Sequence, residues 1–269
     1  MGNLVVVGVD GSASSLAAVE EAAREAGRRR AELRVVHAFS WPVRPVYSPP
    51  DPAPLERLVH EAAERARAVV PGLEVTEAVE KGDAVAVLEA ESRTADLVVV
   101  GPRGVGGFMG VLLGSTAASL AAHSRCPVQV AREEPAGDGP VVLAADGSPA
   151  AEKAVEFAFS EAALRGARLL AVHVWLPDYA PAGMGTESAE RLLAEALAGH
   201  SESYPDVTVE QEILSGETRE TLIEASRTAQ LLVVGARGRG GFTGLLLGSV
   251  SQALLHHAHC PVTVVRGTG

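Results

Sequence analysis

The feature that most constrains what this chain can fold into is that it is written twice. Residues 101–120, GPRGVGGFMGVLLGSTAASL, return 134 residues later as GARGRGGFTGLLLGSVSQAL, residues 235–254. The correspondence continues on both sides. LVVVGVDGSASS from Leu4 pairs with PVVLAADGSPAA from Pro140, LRVVHAFSW from Leu33 with LLAVHVWLP from Leu169, and LVVVG from Leu97 with LLVVG from Leu231. HSRCPVQVAR from His123 pairs with HAHCPVTVVR from His257. Order is kept and the offset stays between 134 and 136 residues, so the chain is two homologous domains, 1–135 and 136–269. The Pro, Gly and acidic residues of REEPAGDGP, residues 132–140, suit an exposed linker between them.

Inside each half, short Val/Leu/Ile runs alternate with Ala/Glu/Arg-rich segments of helical period. In the first half the runs predict strands over Leu4–Val9, Leu33–Ala38, Leu73–Ala78, Leu97–Val100 and Val128–Ala131. Helices are predicted over Ser14–Arg30, Leu55–Val70, Ala84–Ser92 and Ser115–His123. Strands as uniformly apolar as LVVV are buried on both faces, and five strands alternating with helices give a parallel sheet covered on both sides. The fold class is therefore α/β, two tandem doubly wound domains.

Charge and composition remove several function classes. The net charge is -11 and neither half carries a basic surplus, which argues against phosphate-backbone binding, while 4% aromatic residues leave little for base-stacking platforms. Nucleic acid is not an expected partner. No apolar run is long enough to span a bilayer, and MGNLVVVGVDGS reads as a strand rather than a signal peptide. Two cysteines make no disulfide framework. A cytoplasmic protein without a membrane partner is the expectation.

The duplicated loop carries the chemistry. Its shared spacing is G-x-x-G, nine residues, then G-S: Gly101, Gly104, Gly114 and Ser115, then Gly235, Gly238, Gly248 and Ser249. Each serine sits where a helix begins, and the unpaired N–H groups and positive dipole end of a helix N-terminus attract anions. Glycines before it let backbone approach phosphate oxygens, and Arg103 and Arg237 hold equivalent places in G-x-R-G. The dipole is worth about 0.3–1 kcal/mol at an exposed site, so affinity must be distributed over several groups. Arg239 adds a charge to the second loop where the first has Val105. A P-loop requires a lysine beside its last glycine, where Leu113 and Leu247 stand, and a dinucleotide fingerprint requires G-x-G-x-x-G after the first strand, whereas Met109 takes the last place of the run begun by Gly104 and the loop follows the fourth strand, so neither applies. A plain glycine connector is the structural alternative.

Asp10 and Asp146 end the first strand of each half, at the edge where doubly wound sheets bind ligands. Such a carboxylate could hold a ribose hydroxyl, a phosphate through a divalent cation, or simply the turn of D-G-S. His37 and His173 end the second strand with no nucleophile paired to them and read as satisfied core groups. HHAHC, residues 256–260, keeps only His123 and Cys126 in its first-half counterpart, so no metal site is expected there.

These residues together resemble the universal stress protein family in its tandem two-domain form, over nearly the whole chain. The resemblance rests on V-D-G-S after the first strand, the His-Ala or His-Val pair after the second, G-x-x-G-x9-G-S, and C-P-V before the last strand. It implies a five-stranded parallel sheet in the order 3-2-1-4-5 in each domain, with adenine near the second strand and phosphates at the glycine loop. Carried over by position, the ATP site, with Mg2+ as an accompanying ion, would comprise Asp10, Ala38, Gly101, Gly104, Gly114 and Ser115. Its second copy would comprise Asp146, Val174, Gly235, Gly238, Gly248 and Ser249, with Arg103 and Arg237 beside the phosphates. An ATP-binding stress-response regulator with one nucleotide per domain follows; a slow ATPase or phosphotransferase and a nucleotide-free signalling scaffold are the alternatives. The last strands are expected to join the halves as an intrachain pseudo-dimer, with a homodimer as a further assembly. Phe108, Met109, Leu112, Phe242, Leu245 and Leu246 are expected to dock between halves or on a second chain.

Overall fold

The computed structural model describes residues 3–40, 52–105, 112–132, 138–148, 151–176, 186–238 and 246–267. It divides into two compact units, Met1–Glu134 and Pro135–Gly269. In the first, the order is β1 (Leu4–Gly8), α1 (Ala13–Arg29), β2 (Glu32–Phe39), α2 (Ala53–Val69), β3 (Val75–Lys81), α3 (Ala84–Glu91), β4 (Leu97–Val100), α4 (Ser115–His123) and β5 (Val128–Val130). In the second it is β6 (Val141–Ala144), α5 (Glu152–Arg165), β7 (Leu169–Trp175), α6 (Thr186–Leu197), the single turn α7 (His200–Ser203), β8 (Val209–Ser215), α8 (Thr218–Ala225), β9 (Leu231–Gly235), α9 (Ser249–His257) and β10 (Val262–Val265).

All pairings within each unit are parallel. β1 lies between β2 and β4, with β3 and β5 outside them, giving the order 3-2-1-4-5. The second unit repeats this as β8-β7-β6-β9-β10. The central strands are dry because they are uniformly apolar: Val5, Val6, Val7, Leu97, Val98 and Val99 have no exposure. Helices α1 and α2 pack together, as do α3 and α4, covering the two faces. In the second unit Phe159 of α5, fully buried, stacks on His200 and Tyr204 at 5.4 and 5.7 Å between ring centres. Its first-half equivalent is Ala23, so the two cores are filled differently.

Two expectations shift. β3 begins at Val75, not Leu73, and runs to Lys81, because its register is set by β2, from Leu33 opposite Val75 to Phe39 opposite Lys81. This outer strand presents Thr76, Glu77, Glu80 and Lys81, so apolar patterning understates its length. The presumed linker is not exposed at its end either: Pro140 is buried and the Gly139 carbonyl accepts from Gln230 Nε2 at 2.6 Å. Residues 133–137 lie outside the described residues. Among the described residues no helix is long and apolar enough to cross a membrane.

Candidate functional site

Because β1 and β4 are parallel neighbours, with Val5 opposite Leu97 and Val7 opposite Val99, the turns that follow them open on the same edge. β1 is also where strand order reverses, and a cleft of about 530 Å³ opens there. One side is apolar, formed by Gly8, Val36 and Ala38 of the sheet facing Ala84 and Leu88 of α3. The other side is the glycine loop and the start of α4, with Gly101, Arg103, Gly104, Gly114 and Ser115.

Asp10 joins the two turns. Its Oδ1 accepts from the Ser12 N–H at 3.0 Å and the Ser12 hydroxyl at 2.6 Å, and its Oδ2 accepts from the Val105 N–H at 2.8 Å. Burial pushes the carboxyl up, but the Ser12 hydroxyl, the Ser12 N–H and the Val105 N–H together outweigh it and hold it below the usual carboxylate range. Ser14 adds a second tie: its hydroxyl donates to the Arg103 carbonyl at 2.8 Å and lies 3.3 Å from the Arg103 N–H.

These ties revise the meaning of two glycines. A Cβ at Gly101 would overlap the Ser14 hydroxyl and carbonyl, and a Cβ at Gly104 would overlap Asp10 Oδ2. Both glycines are therefore demanded by packing of the chain on itself, rather than only by approach of phosphate. Gly114 is different. It caps α4 with φ -74° and ψ 156°, which any residue adopts, and a Cβ there would meet nothing nearer than 3.5 Å. A Ser, Asn or Asp at this position would fold its oxygen over the first N–H groups of the helix, as Ser12 and Asp83 do on α1 and α3. Glycine leaves them uncovered, and Gly248 on α9 repeats the geometry at φ -74° and ψ 155°.

Ser12 both caps α1, accepting from the Ser15 N–H at 3.1 Å, and supports Asp10. Ser12→Ala is expected to cost about 1–2 kcal/mol, the upper half of the N-cap range, read as a lowered urea midpoint of the full chain with unchanged slope.

The second cleft, about 180 Å³, is lined by Asp146, Val174, Gly235, Arg237 and Gly238, while Gly248 and Ser249 do not line it. Asp146 Oδ1 accepts from the Ser148 N–H at 2.9 Å, and a Cβ at Gly238 would stand 2.7 Å from Asp146 Oδ2. Gly235 meets no comparable obstacle, since its nearest neighbour would be the Arg237 carbonyl at 3.3 Å. The hydroxyl that Ser14 supplies in the first unit comes here from the opposite side: Ser251 of α9 donates to the Gly235 carbonyl at 2.7 Å. Its first-half equivalent is Ala117, and the equivalent of Ser14 is Ala150.

Arg103 and Arg237 are exposed on their loops. His37 and His173 each use Nδ1 to donate to the carbonyl of the first strand's end, Val9 and Ala145, at 2.8 Å. They are satisfied groups, since a carbonyl can only accept. Burial pushes the Cys126 thiol up to about 12, which makes it inert. Among the described residues no three His, Cys, Asp or Glu side chains gather as a metal-ligand set. Leu112 and Leu246 are about half exposed, at 47% and 46%. Phe108, Met109, Arg239, Phe242 and Leu245 lie outside the described residues. Sequence reasoning missed Ser14, Ser251 and the α3 wall. The DGSASS run contained the serine signal, but α3, AVAVLEAE, has no distinct apolar stripe to betray which side faces a cleft.

Comparison with known proteins gives one consistent result. The model of the universal stress protein family matches residues 1–132 and 139–266. A universal stress protein of Mycolicibacterium smegmatis is 43% identical, over 97% of this chain and 96% of its own length. One of Mycobacterium tuberculosis is 37% identical over 97% and 94%. Among solved structures, a universal stress protein from Archaeoglobus fulgidus shares the fold, with a TM-score of 0.74 over 98% of this chain and 97% of that one at 23% identity.

Proposed function

The chain belongs to the universal stress protein family, and from that premise we propose that it is a nucleotide-binding stress-response regulator whose two domains each provide a site for ATP. The observation that carries the reading is the uncovered N-terminus of α4, duplicated at α9, standing beside an apolar chamber at the sheet's reversal point. Uncovered N–H groups favour phosphate, and a wall of Val36, Ala38, Ala84 and Leu88 favours a flat base. Gly114 and Ser115, and Gly248 and Ser249, would hold phosphate oxygens, with Arg103 and Arg237 as exposed cations at the loop.

Asp10 fits a sugar better than a metal ion. Each carboxylate oxygen accepts about two hydrogen bonds, and Oδ1 already takes two from Ser12, whereas Oδ2 takes one from Val105. The remaining acceptor position suits a ribose hydroxyl. No protein-held Mg2+ is assigned, because neither Asp10 oxygen is free of the chain's own donors. Hydrolysis is no part of the proposal: His37 does not line the first cleft, and Asp10 serves the loop.

Titration calorimetry of the full chain with ATP is expected to show two nucleotides per chain, with mass spectrometry finding adenine nucleotide retained by gently purified protein. Absence of both signals would overturn the proposal and leave a nucleotide-free scaffold.

A further inference from the structure

The helix start after the glycine loop is alike in the two domains, but the apolar wall of the cleft is not. Gly114 and Gly248 have the same backbone geometry within a degree. Along the side formed by the second strand and the helix after the third, however, equivalent lining residues grow in the second copy. Gly8 becomes Ala144, Ala38 becomes Val174 and Ala84 becomes Thr218, while Leu88 and Leu222 are unchanged. A Cβ on Gly8 would stand 2.7 Å from Leu88 Cδ1, so the glycine is what lets that leucine lie against the strand as it does. The second copy carries this Cβ and two larger side chains besides. Exchanges in the other direction, Val9 to Ala145 and Ser15 to Ala151, flank the aspartate turn and do not widen that wall. The first cleft, about 530 Å³, also takes in Gly114 and Ser115, whereas the second, about 180 Å³, stops short of Gly248 and Ser249, so the volumes reflect both the wall and the helix start.

We infer that the domains bind ATP unequally. The first cleft takes the whole nucleotide, whereas the second keeps the phosphate end and opposes the base with Val174 and Thr218, binding at least tenfold more weakly. This rests on the nucleotide reading above. Overpacked apolar walls yield slowly because neighbouring side chains must leave their preferred rotamers. Added methyl groups in a pocket shift affinity by ten- to a few hundred-fold, which sets the scale of the expected difference.

The experiment is photolabelling of the full chain with 8-azido-ATP over a concentration series, with the labelled peptides assigned to residues 1–132 or 139–266. In the wild type, half-maximal labelling of the first domain is expected at a concentration at least tenfold lower than that of the second. Val174→Ala with Thr218→Ala, at half-buried positions whose truncation leaves the core intact, should bring the second domain's value to within threefold of the first. Ala38→Val should weaken the first domain about tenfold without touching the second. Equal labelling of both domains in the wild type, or no response to the double substitution, overturns the inference and leaves the nucleotide reading standing. No labelling of either domain overturns both.

Discussion

Gly104→Val is expected to remove nucleotide from the first domain and leave the second domain's site as it was. The added Cβ would stand where Asp10 Oδ2 now lies, so either the carboxylate swings away or the loop lifts. Each response breaks the Val105 N–H bond to Asp10 that holds the loop over the cleft. Two separate magnitudes follow. Stability should fall by only about 1 kcal/mol, the net worth of one hydrogen bond at an exposed loop. Affinity at the first site should fall at least a hundredfold, about 2.8 kcal/mol, because phosphate, ribose and loop contacts depend on one geometry. Calorimetry and urea unfolding of the same preparation measure both. An affinity loss no larger than the stability loss would mean that the loop does not contact nucleotide. Gly238→Val is the matching test of the second site, where the clash is with Asp146.

Gly139→Ala is expected to destabilise the second domain by about 3 kcal/mol or more, at the top of the usual cost of overpacking. The new methyl would overlap the Thr228 carbonyl, and the obstacle is backbone that cannot change rotamer. The strand entry is pinned on two further sides, by Gln230 Nε2 on the Gly139 carbonyl at 2.6 Å and by the Gln230 N–H on the Pro140 carbonyl at 3.0 Å. Moving the chain aside therefore breaks these bonds as well. The measurement is thermal or urea unfolding with domain-resolved hydrogen exchange. A loss spread equally over both domains, or one under 1 kcal/mol, would contradict the local clash.

The duplicated pattern made the architecture legible because central strands buried on both faces cannot afford polar residues; β1, β4, β6 and β9 announce themselves. β3 was misplaced by two residues because an outer strand is half solvated and its ends are set by register with β2, a relation between residues about 40 apart. The site was legible in outline for a similar reason: helix starts and strand ends leave local signs in glycine and serine. The reason for individual glycines was not. What excludes a side chain at Gly101 is Ser14, and at Gly104 it is Asp10, partners about 90 residues distant that only the assembled sheet brings near. Gly139 looked like linker for the same cause, since its partner Thr228 is equally remote in sequence.

The hydroxyl that steadies each glycine loop comes from the helix after the first strand in one domain, Ser14, and from the helix after the loop in the other, Ser251. The halves have thus diverged in a correlated way and are no longer interchangeable piece by piece. A recombinant domain joining the opening segment of the second half to the closing segment of the first would carry Ala150 and Ala117 and have no such hydroxyl, whereas the reciprocal joint would carry two. Crossing-over between the repeats would therefore yield unequal offspring: the single domain left by a deletion would keep both hydroxyls, whereas the hybrid domain inserted by the reciprocal expansion would have neither.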